Sequence, residues 1–222
     1  SRVYDDENGM KILIQYPFMY RETKINYFTS NHAVSSFESD RRKFLGDNEY
    51  GTWANPLSLQ EPELSNWEVL RGDNIAALLH HLGEVQPGKT KRVITQLGQD
   101  ESVEKALPLI RKYRDEESVD EAFKDLARFW DGYLSKVQVK TPDADMNRIL
   151  NIHNPRQCYI TKNWSRYLSL YQLGFGARAM GFRDSAQDVM GVVAHIPEEG
   201  KELIRQLLHT QKRDGSAMHQ FN

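Results

Sequence analysis

Residues Gly181–His209 read GFRDSAQDVMGVVAHIPEEGKELIRQLLH, and this stretch decides the later half of the chain. Val189, Val192, Val193 and Ile196 recur at helical spacing. Pro197 stops that run and opens the next, and Glu198 and Glu199 stand in the new first turn, where the helix dipole favours acids. Leu203, Ile204, Leu207 and Leu208 form the second apolar stripe, which Asp214-Gly215 ends. Asp184 as cap with Gln187 three residues on makes a capping box for the first helix. Helices joined this closely run antiparallel, so the stretch predicts the beginning of a helical array or barrel.

Upstream the helical period continues. Asp143 or Asp145 opens a run through Met146, Ile149, Leu150 and Ile152 that Pro155 breaks or bends. The period resumes at Tyr159, Trp164, Tyr167, Leu168 and Tyr171 and ends at Gly174 and Gly176. Val137–Pro142 is a short extended link. Ser118 and Glu121 make a capping box for a helix through Phe123, Leu126, Ala127, Trp130 and Leu134. Ser102–Arg114 is a further helix, with Val103, Leu107 and Ile110 on one side and Pro108 an awkward guest.

Composition changes at Gly98-Gln99-Asp100, before which the chain reads as β. Ile12, Ile14 and Tyr16 alternate with Leu13, and Lys24–Thr29 is a second run. Asn74–Val85 and Lys89–Leu97 flank Pro87-Gly88, the pair a type II turn demands, and are expected to form a hairpin. Arg41–Gly72, rich in Gly, Asn, Pro and Trp, is a long irregular excursion. The strands are too few for a closed sandwich, so the β portion reads as part of a larger one. The expected class is α+β and multidomain: part of a larger β unit before Gly98-Gln99-Asp100 and successive antiparallel helices after it.

The chain has 222 residues, 27% charged and 39% apolar, with 10% aromatics, a soluble globular profile rather than a disordered one. No run reaches the ~18 apolar residues of a membrane span. Against 31 acidic residues stand 29 basic ones, so the net charge of −2 offers no global field for nucleic acid. Cys158 is the single cysteine, which excludes an internal disulfide and a Cys-based zinc site and fits a reducing compartment. It is expected to be buried. His80-His81 falls in a strand, where the rings point to opposite faces and cannot share one metal. Ser1 at the start and His219–Asn222 at the finish, with no closing helix or strand, read as cut ends.

The densest chemistry lies at Gly181–Asp188. Asp184 and Asp188 are four apart, on one helical face, beside Arg183 and Gln187. Such donors and acceptors suit a polyhydroxylated ligand, whose hydroxyls both donate and accept. Capping and solvation account for the same residues with no ligand at all. Antiparallel helices also bring the loop after Asp214, with His219 and Gln220, to the same end as Gly181–Asp188.

The motifs Asn163-Trp164-Ser165-Arg166-Tyr167, Gly181–Gly191, Ile196-Pro197-Glu198-Glu199 and Gln211–Gln220 resemble the inverting disaccharide phosphorylases of glycoside hydrolase family 94. Val139–Asp143 looks like that family's link into its catalytic barrel. Phe44-Leu45-Gly46, Asn55-Pro56 and Pro87–Thr90 fit the end of its N-terminal β-sandwich. Asn154–Cys158 and Trp164–Arg166 look nearest to cellodextrin phosphorylases, with cellobiose and laminaribiose phosphorylases as alternatives.

The resemblance implies the end of an N-terminal β-sandwich over 1–99, a helical linker over 100–138 and the first helices of a truncated (α/α)6 catalytic barrel over 139–222. It implies phosphorolysis of a β-glucoside to α-glucose 1-phosphate, with β-glucan oligosaccharide and inorganic phosphate as partners. No cofactor, metal, membrane or nucleic acid is implied. Arg183, Asp184, Gln187 and Asp188 then match the motif that holds the glucosyl unit, with His219 and Gln220 as second candidates. The general acid belongs to an Asp-Trp-Asn-Asp motif expected beyond Asn222; Trp130-Asp131-Gly132 is not it, so these 222 residues alone are expected to be inactive. A cytoplasmic location and a homodimer, with the Arg41–Gly72 excursion reaching a partner, complete the expectation. A non-catalytic carbohydrate-binding protein reusing the sugar subsite is the alternative.

Overall fold

The computed structural model describes residues 1–6, 9–16, 24–46, 55–165 and 180–221. Two compact units, Ser1–Phe123 and Lys124–Asn222, meet inside one helix. The first is a sheet unit and the second is helical.

Strands β1 (Arg2–Asp5), β2 (Lys11–Gln15), β3 (Ile25–Ser30) and β6 (Thr95–Asp100) form an antiparallel sheet in the order β1-β2-β3-β6. β4 (Ser36–Asp40) and β5 (Asn74–Leu79) pair separately. The alternation in β2 explains the layering. Ile12 and Ile14 face helix α2 (Val103–Lys112), where they pack with Ile25, Tyr27, Ala106, Leu107 and Ile110. Leu13 points the other way and packs with Val34, Phe37 and Leu78 of the β4–β5 side. A strand apolar on both faces is therefore covered on both.

Ser102 caps α2 by accepting from the Lys105 N–H at 3.3 Å. Pro108 sits on its exposed face and does not interrupt it. The far end of α2 is pinned by charge. The buried Asp6 carboxylate accepts from Arg114 Nη1 at 2.8 Å, and Arg114 Nη2 donates to Thr29 Oγ1 at 3.3 Å.

The hairpin expected across Pro87-Gly88 does not form as a strand pair. Its turn is present: the Lys89 N–H donates to the Gln86 carbonyl at 2.9 Å and Gly88 has φ 77°. β5 instead pairs with β4, and β6 with β3. Residues 83–93 are almost wholly exposed and present no apolar face to bury, so the apolar ends of the two arms go to different sheets.

The Arg41–Gly72 excursion contains α1 (Arg41–Leu45) and a 3-10 turn at Leu57–Gln60. Its return leg is tied to β4 by side chains. Ser36 Oγ accepts from the Leu64 N–H at 2.8 Å, Asn66 Oδ1 accepts from the Phe37 N–H at 3.1 Å, and Ser39 Oγ accepts from the Val69 N–H at 2.8 Å. Fully buried Glu38 accepts from the Ser39 and Asp40 N–H groups and from the Ser65 hydroxyl.

Helix α3 (Glu116–Leu134) starts earlier than its expected cap at Ser118. Asp115 takes that role and accepts from the Ser118 N–H at 2.8 Å, a bond that holds its carboxyl below the usual range. Asp143, not Asp145, caps α4 (Ala144–Arg148). Pro155 does not break the helix that follows. A π turn at Ile149–His153 precedes α5 (Asn154–Ile160), and the Asn154 N–H reaches back to the Ile149 carbonyl. Widening the helix by one residue just before Pro155 accommodates the missing donor and the ring. A second π turn, Thr161–Ser165, follows. The extended link is zipped to this helix: the Asn147 amide bonds both main-chain groups of Thr141, and the Asn151 amide both of Val139. The expected core placements of the Trp164, Tyr167, Leu168 and Tyr171 side chains, and the helix end at Gly174 and Gly176, fall outside the described residues.

Two substitutions test the sheet unit. A Cβ on Gly98 would collide with the ring of Tyr27, its directly opposed partner, so Gly98→Ala is expected to cost roughly 3 kcal/mol in urea unfolding. A loss under about 0.5 kcal/mol would refute the packing argument. Asp6→Asn leaves Arg114 buried without its charge partner and is expected to cost roughly 3 kcal/mol by the same measurement.

Candidate functional site

Helices α6 (Phe182–Val192) and α7 (Pro197–His209) form an antiparallel pair. Val189 packs with Leu203 and Leu207, and Met180, Phe182 and Ala186 close around them. Ile204 and Leu208, expected in the same stripe, remain 41% and 56% exposed and lie outside that cluster. Cys158 is half-buried rather than buried. Its sulfur lies against α6, 3.0 Å from where a Cβ on Gly191 would stand.

The turn between α6 and α7 is anchored from below. His195 Nδ1 donates to the Tyr133 carbonyl at 2.9 Å, and the two rings stack at 4.6 Å. The Tyr133 hydroxyl donates to the Pro155 carbonyl at 3.1 Å. Burial, with smaller contributions from Cys158, Tyr159 and Glu199, pushes the Tyr133 phenol up to about 12. Lys162 Nζ pairs with Glu199 at 2.6 Å in the first turn of α7.

After α7 the chain turns back in a small closed loop. Helix α7 ends at His209, before the expected Asp214-Gly215, because those two residues build the next turn. The Lys212 N–H donates to the Ser216 carbonyl at 2.8 Å, and Gly215 has φ 83°. Asp214 Oδ1 accepts from the Ser216 hydroxyl at 2.7 Å and its N–H at 2.9 Å, which holds that carboxyl below the usual range. The loop delivers β8 (Gln220–Phe221) antiparallel to β7 (Met180–Gly181), immediately before α6. A finish without a strand was therefore the wrong expectation. The Phe182 N–H donates to the His219 carbonyl at 3.2 Å.

Gly181–Asp188 and the loop after Asp214 thus meet at one end of the α6–α7 pair. The capping box does not form: α6 starts at Phe182, and its N-cap is Gly181 with no side-chain bond. The pairing with β8 begins the helix sooner and places Asp184 third in its first turn. Asp184 and Asp188 are half-buried, whereas Arg183 and Gln187 are exposed. Arg183 Nη2 approaches Asp184 Oδ1 at 3.4 Å. His219 is exposed beside the helix start, and Gln220 is paired with Gly181 through its backbone. Exposed Arg183 beside a half-buried carboxylate offers charged donors and acceptors to a ligand hydroxyl.

His80 and His81 lie just past β5 rather than inside it, and their rings go to separate partners: Ser30 and Ala33 for the first, Glu63 for the second. Among the described residues no group of three His, Cys, Asp or Glu is placed to hold a metal ion, and no helix is long and apolar enough to cross a membrane. Gly181 in the polar cluster and Asp214-Gly215 as a helix end were both in the sequence reading; the crowding of Gly181 by Asp184 and the closed Asp214–Ser216 turn are what the structure adds. The Asp-Gly dipeptide at 214–215 was the available signal for the second.

Residues 2–116 match the family model described as glycosyl hydrolase 94, supersandwich domain, and residues 129–222 match glycosyl hydrolase 94 superfamily, catalytic domain. N,N′-diacetylchitobiose phosphorylase of Vibrio proteolyticus is 30% identical over 213 residues, covering 95% of this chain and 26% of that protein. Its counterpart in Vibrio furnissii is 30% identical over 196 residues, 88% of this chain and 24% of that protein. Solabiose phosphorylase of Paenibacillus borealis is 28% identical over 184 residues, 83% and 22%. The chain spans about a quarter of the length of these relatives.

The anchor beneath the site has a pH signature. An unfolded tyrosine ionises near 10, two units below folded Tyr133, so the unfolded state releases its proton first as pH rises. The stability that Tyr133 contributes is complete below pH 10 and is lost between 10 and about 12. Urea titrations across that window should show the stability gap between wild type and Tyr133→Phe narrowing; a constant gap would contradict the burial argument.

Proposed function

The chain belongs to the glycosyl hydrolase 94 superfamily, and from that premise we propose that it is part of a phosphate-dependent inverting phosphorylase of β-linked disaccharides or short oligosaccharides. The observation that carries this reading is the meeting of Arg183–Asp184 with His219–Gln220 through the β7–β8 pair, inside the stretch that matches the catalytic-domain model.

In the proposed reaction a phosphate oxygen attacks the anomeric carbon as the glycosidic C–O bond breaks. The leaving oxygen takes a proton from a carboxylic acid outside these residues. The product is the sugar 1-phosphate with inverted configuration, and phosphate is a co-substrate rather than a cofactor. Residues of this chain bind and orient: Asp184 and Asp188 accept from ring hydroxyls and Arg183 donates to them, with Gln187, His219 and Gln220 flanking. Cellodextrin is the first-choice substrate on the strength of Asn154–Cys158 and Trp164–Arg166. The names of the relatives add N,N′-diacetylchitobiose and solabiose as competitors.

The domain reading belongs to the same proposal: the end of a sandwich, a linker and the opening of an (α/α)6 barrel. So do a cytoplasmic location, which the single cysteine suits, and a homodimer.

The full-length protein decides it. Cellobiose, cellotetraose, laminaribiose, N,N′-diacetylchitobiose and solabiose are each incubated with and without inorganic phosphate, and sugar 1-phosphate is assayed. Phosphate-dependent release from one of them is expected, with no turnover by the 222-residue chain alone. Asp184→Ala is expected to raise KM by roughly tenfold to a hundredfold, as loss of a charged hydrogen bond does. Sugar binding by a folded protein without release from any substrate would instead favour a carbohydrate-binding protein.

A further inference from the structure

We propose that Gly181 is a positioning residue for the Asp184 carboxylate, holding open the space in which that group must sit to meet its ligand. The inference rests on the reading of Asp184 as a sugar ligand and adds a residue that acts through it.

The backbone does not call for glycine at this position. Gly181 has φ −76° and ψ 125°, extended geometry that any residue adopts. Space is the constraint instead. A Cβ built there would lie 2.9 Å from Asp184 Oδ2, 3.4 Å from its Cγ and 3.6 Å from its Cβ. All three nearest atoms belong to Asp184, so its carboxylate occupies the volume that a side chain at 181 would fill.

The other crowded glycines meet different things. A Cβ on Gly46 meets Leu57, one on Gly98 the Tyr27 ring, one on Gly191 Cys158 and one on Gly200 Val193; all four contacts concern packing. At Gly181 the obstacle is the far end of a short polar side chain, which rotates away at little cost to the fold. Rotation would still alter the site, because the two carboxylate oxygens have different surroundings. Oδ2 lies over Gly181, while Oδ1 faces Arg183 Nη2 at 3.4 Å.

The backbone offers no easier relief. Gly181 pairs with Gln220, and the neighbouring Phe182 N–H is bonded to the His219 carbonyl. A methyl group at 181 would therefore displace the carboxylate rather than the chain, and would disturb its alignment with Arg183. Hydrogen bonds lose strength steeply with such misalignment.

A second interpretation of the same contact is purely structural: an acid in the first turn folds back over the helix start, where the dipole favours it. The two are separable by a double-mutant cycle in the full-length protein. Wild type, Gly181→Ala, Asp184→Ala and the double variant are titrated calorimetrically with cellobiose and with N,N′-diacetylchitobiose, and Tm is measured for each. Gly181→Ala is expected to weaken binding of the better probe by roughly tenfold, while Tm falls by no more than about 5 °C. In the Asp184→Ala background the same change is expected to have no further effect on binding, since Gly181 acts only through the carboxylate.

Wild-type affinity in Gly181→Ala, with affinity lost in Asp184→Ala, would overturn the proposal and leave the sugar site standing. An equal loss from Gly181→Ala in both backgrounds would also overturn it, as a structural effect. Unchanged binding in Asp184→Ala would remove the ligand reading underneath, and the proposal with it. Failure of Gly181→Ala to fold would overturn the proposal as well, because the space at 181 would then serve the fold rather than the ligand.

Discussion

The backbone pairing of Met180–Gly181 with Gln220–Phe221 governs the polar end of the helical unit, because it sets where α6 begins. With β8 alongside, the chain enters the helix at Phe182 and the His219 carbonyl takes the first N–H. Asp184, which local sequence would place at the cap, becomes a first-turn residue half-exposed beside Arg183. The same pairing brings His219 to the helix start from 37 residues further along the chain than Phe182. Beneath it, the Val189–Leu203–Leu207 contact and the His195–Tyr133 stack hold the two helices in the antiparallel relation that the pairing needs.

The sheet unit is built on a different economy. β2 is apolar on both faces, so it is covered by α2 on one side and by the β4–β5 pair on the other. Where regular strand pairing stops, polar side chains take over the main chain's hydrogen bonds. Ser36, Ser39 and Asn66 join the return leg of the long excursion to β4, and Asn147 and Asn151 do the same for the extended link in the helical unit. An amide or hydroxyl at the right spacing satisfies buried main-chain groups without a further strand.

Those substitutions explain much of what was legible and what was not. β2, β3, α2 and the α6–α7 pair were readable because their apolar residues recur at one period and need no distant information. The capping boxes at Ser118 and Asp184 were both misplaced. Each has a correct local pattern, but a neighbour offered a better start: Asp115 in the first case and the β7–β8 pair in the second. The Pro87-Gly88 turn was readable, and its hairpin was not, since register depends on which sheet buries the flanking apolar residues. Pro155 signalled a break, yet a π turn lets the helix pass it.

By itself the sequence determined the order of a sheet unit and a helical unit, the apolar faces of β2, α2, α6 and α7, and a polar cluster at Arg183–Asp188 meeting the loop that bears His219. These follow from periodicity and loop length, which are local quantities. Only the tertiary structure decided which strands pair, where each helix begins and which side of a residue is crowded. Gly181 shows the difference. In the sequence it is one more glycine before a helix, whereas in the fold its missing side chain is the space that the Asp184 carboxylate fills. The two residues are only three apart, yet their contact exists because the helix begins at Phe182, and the pairing with Gln220–Phe221, far along the chain, sets that start.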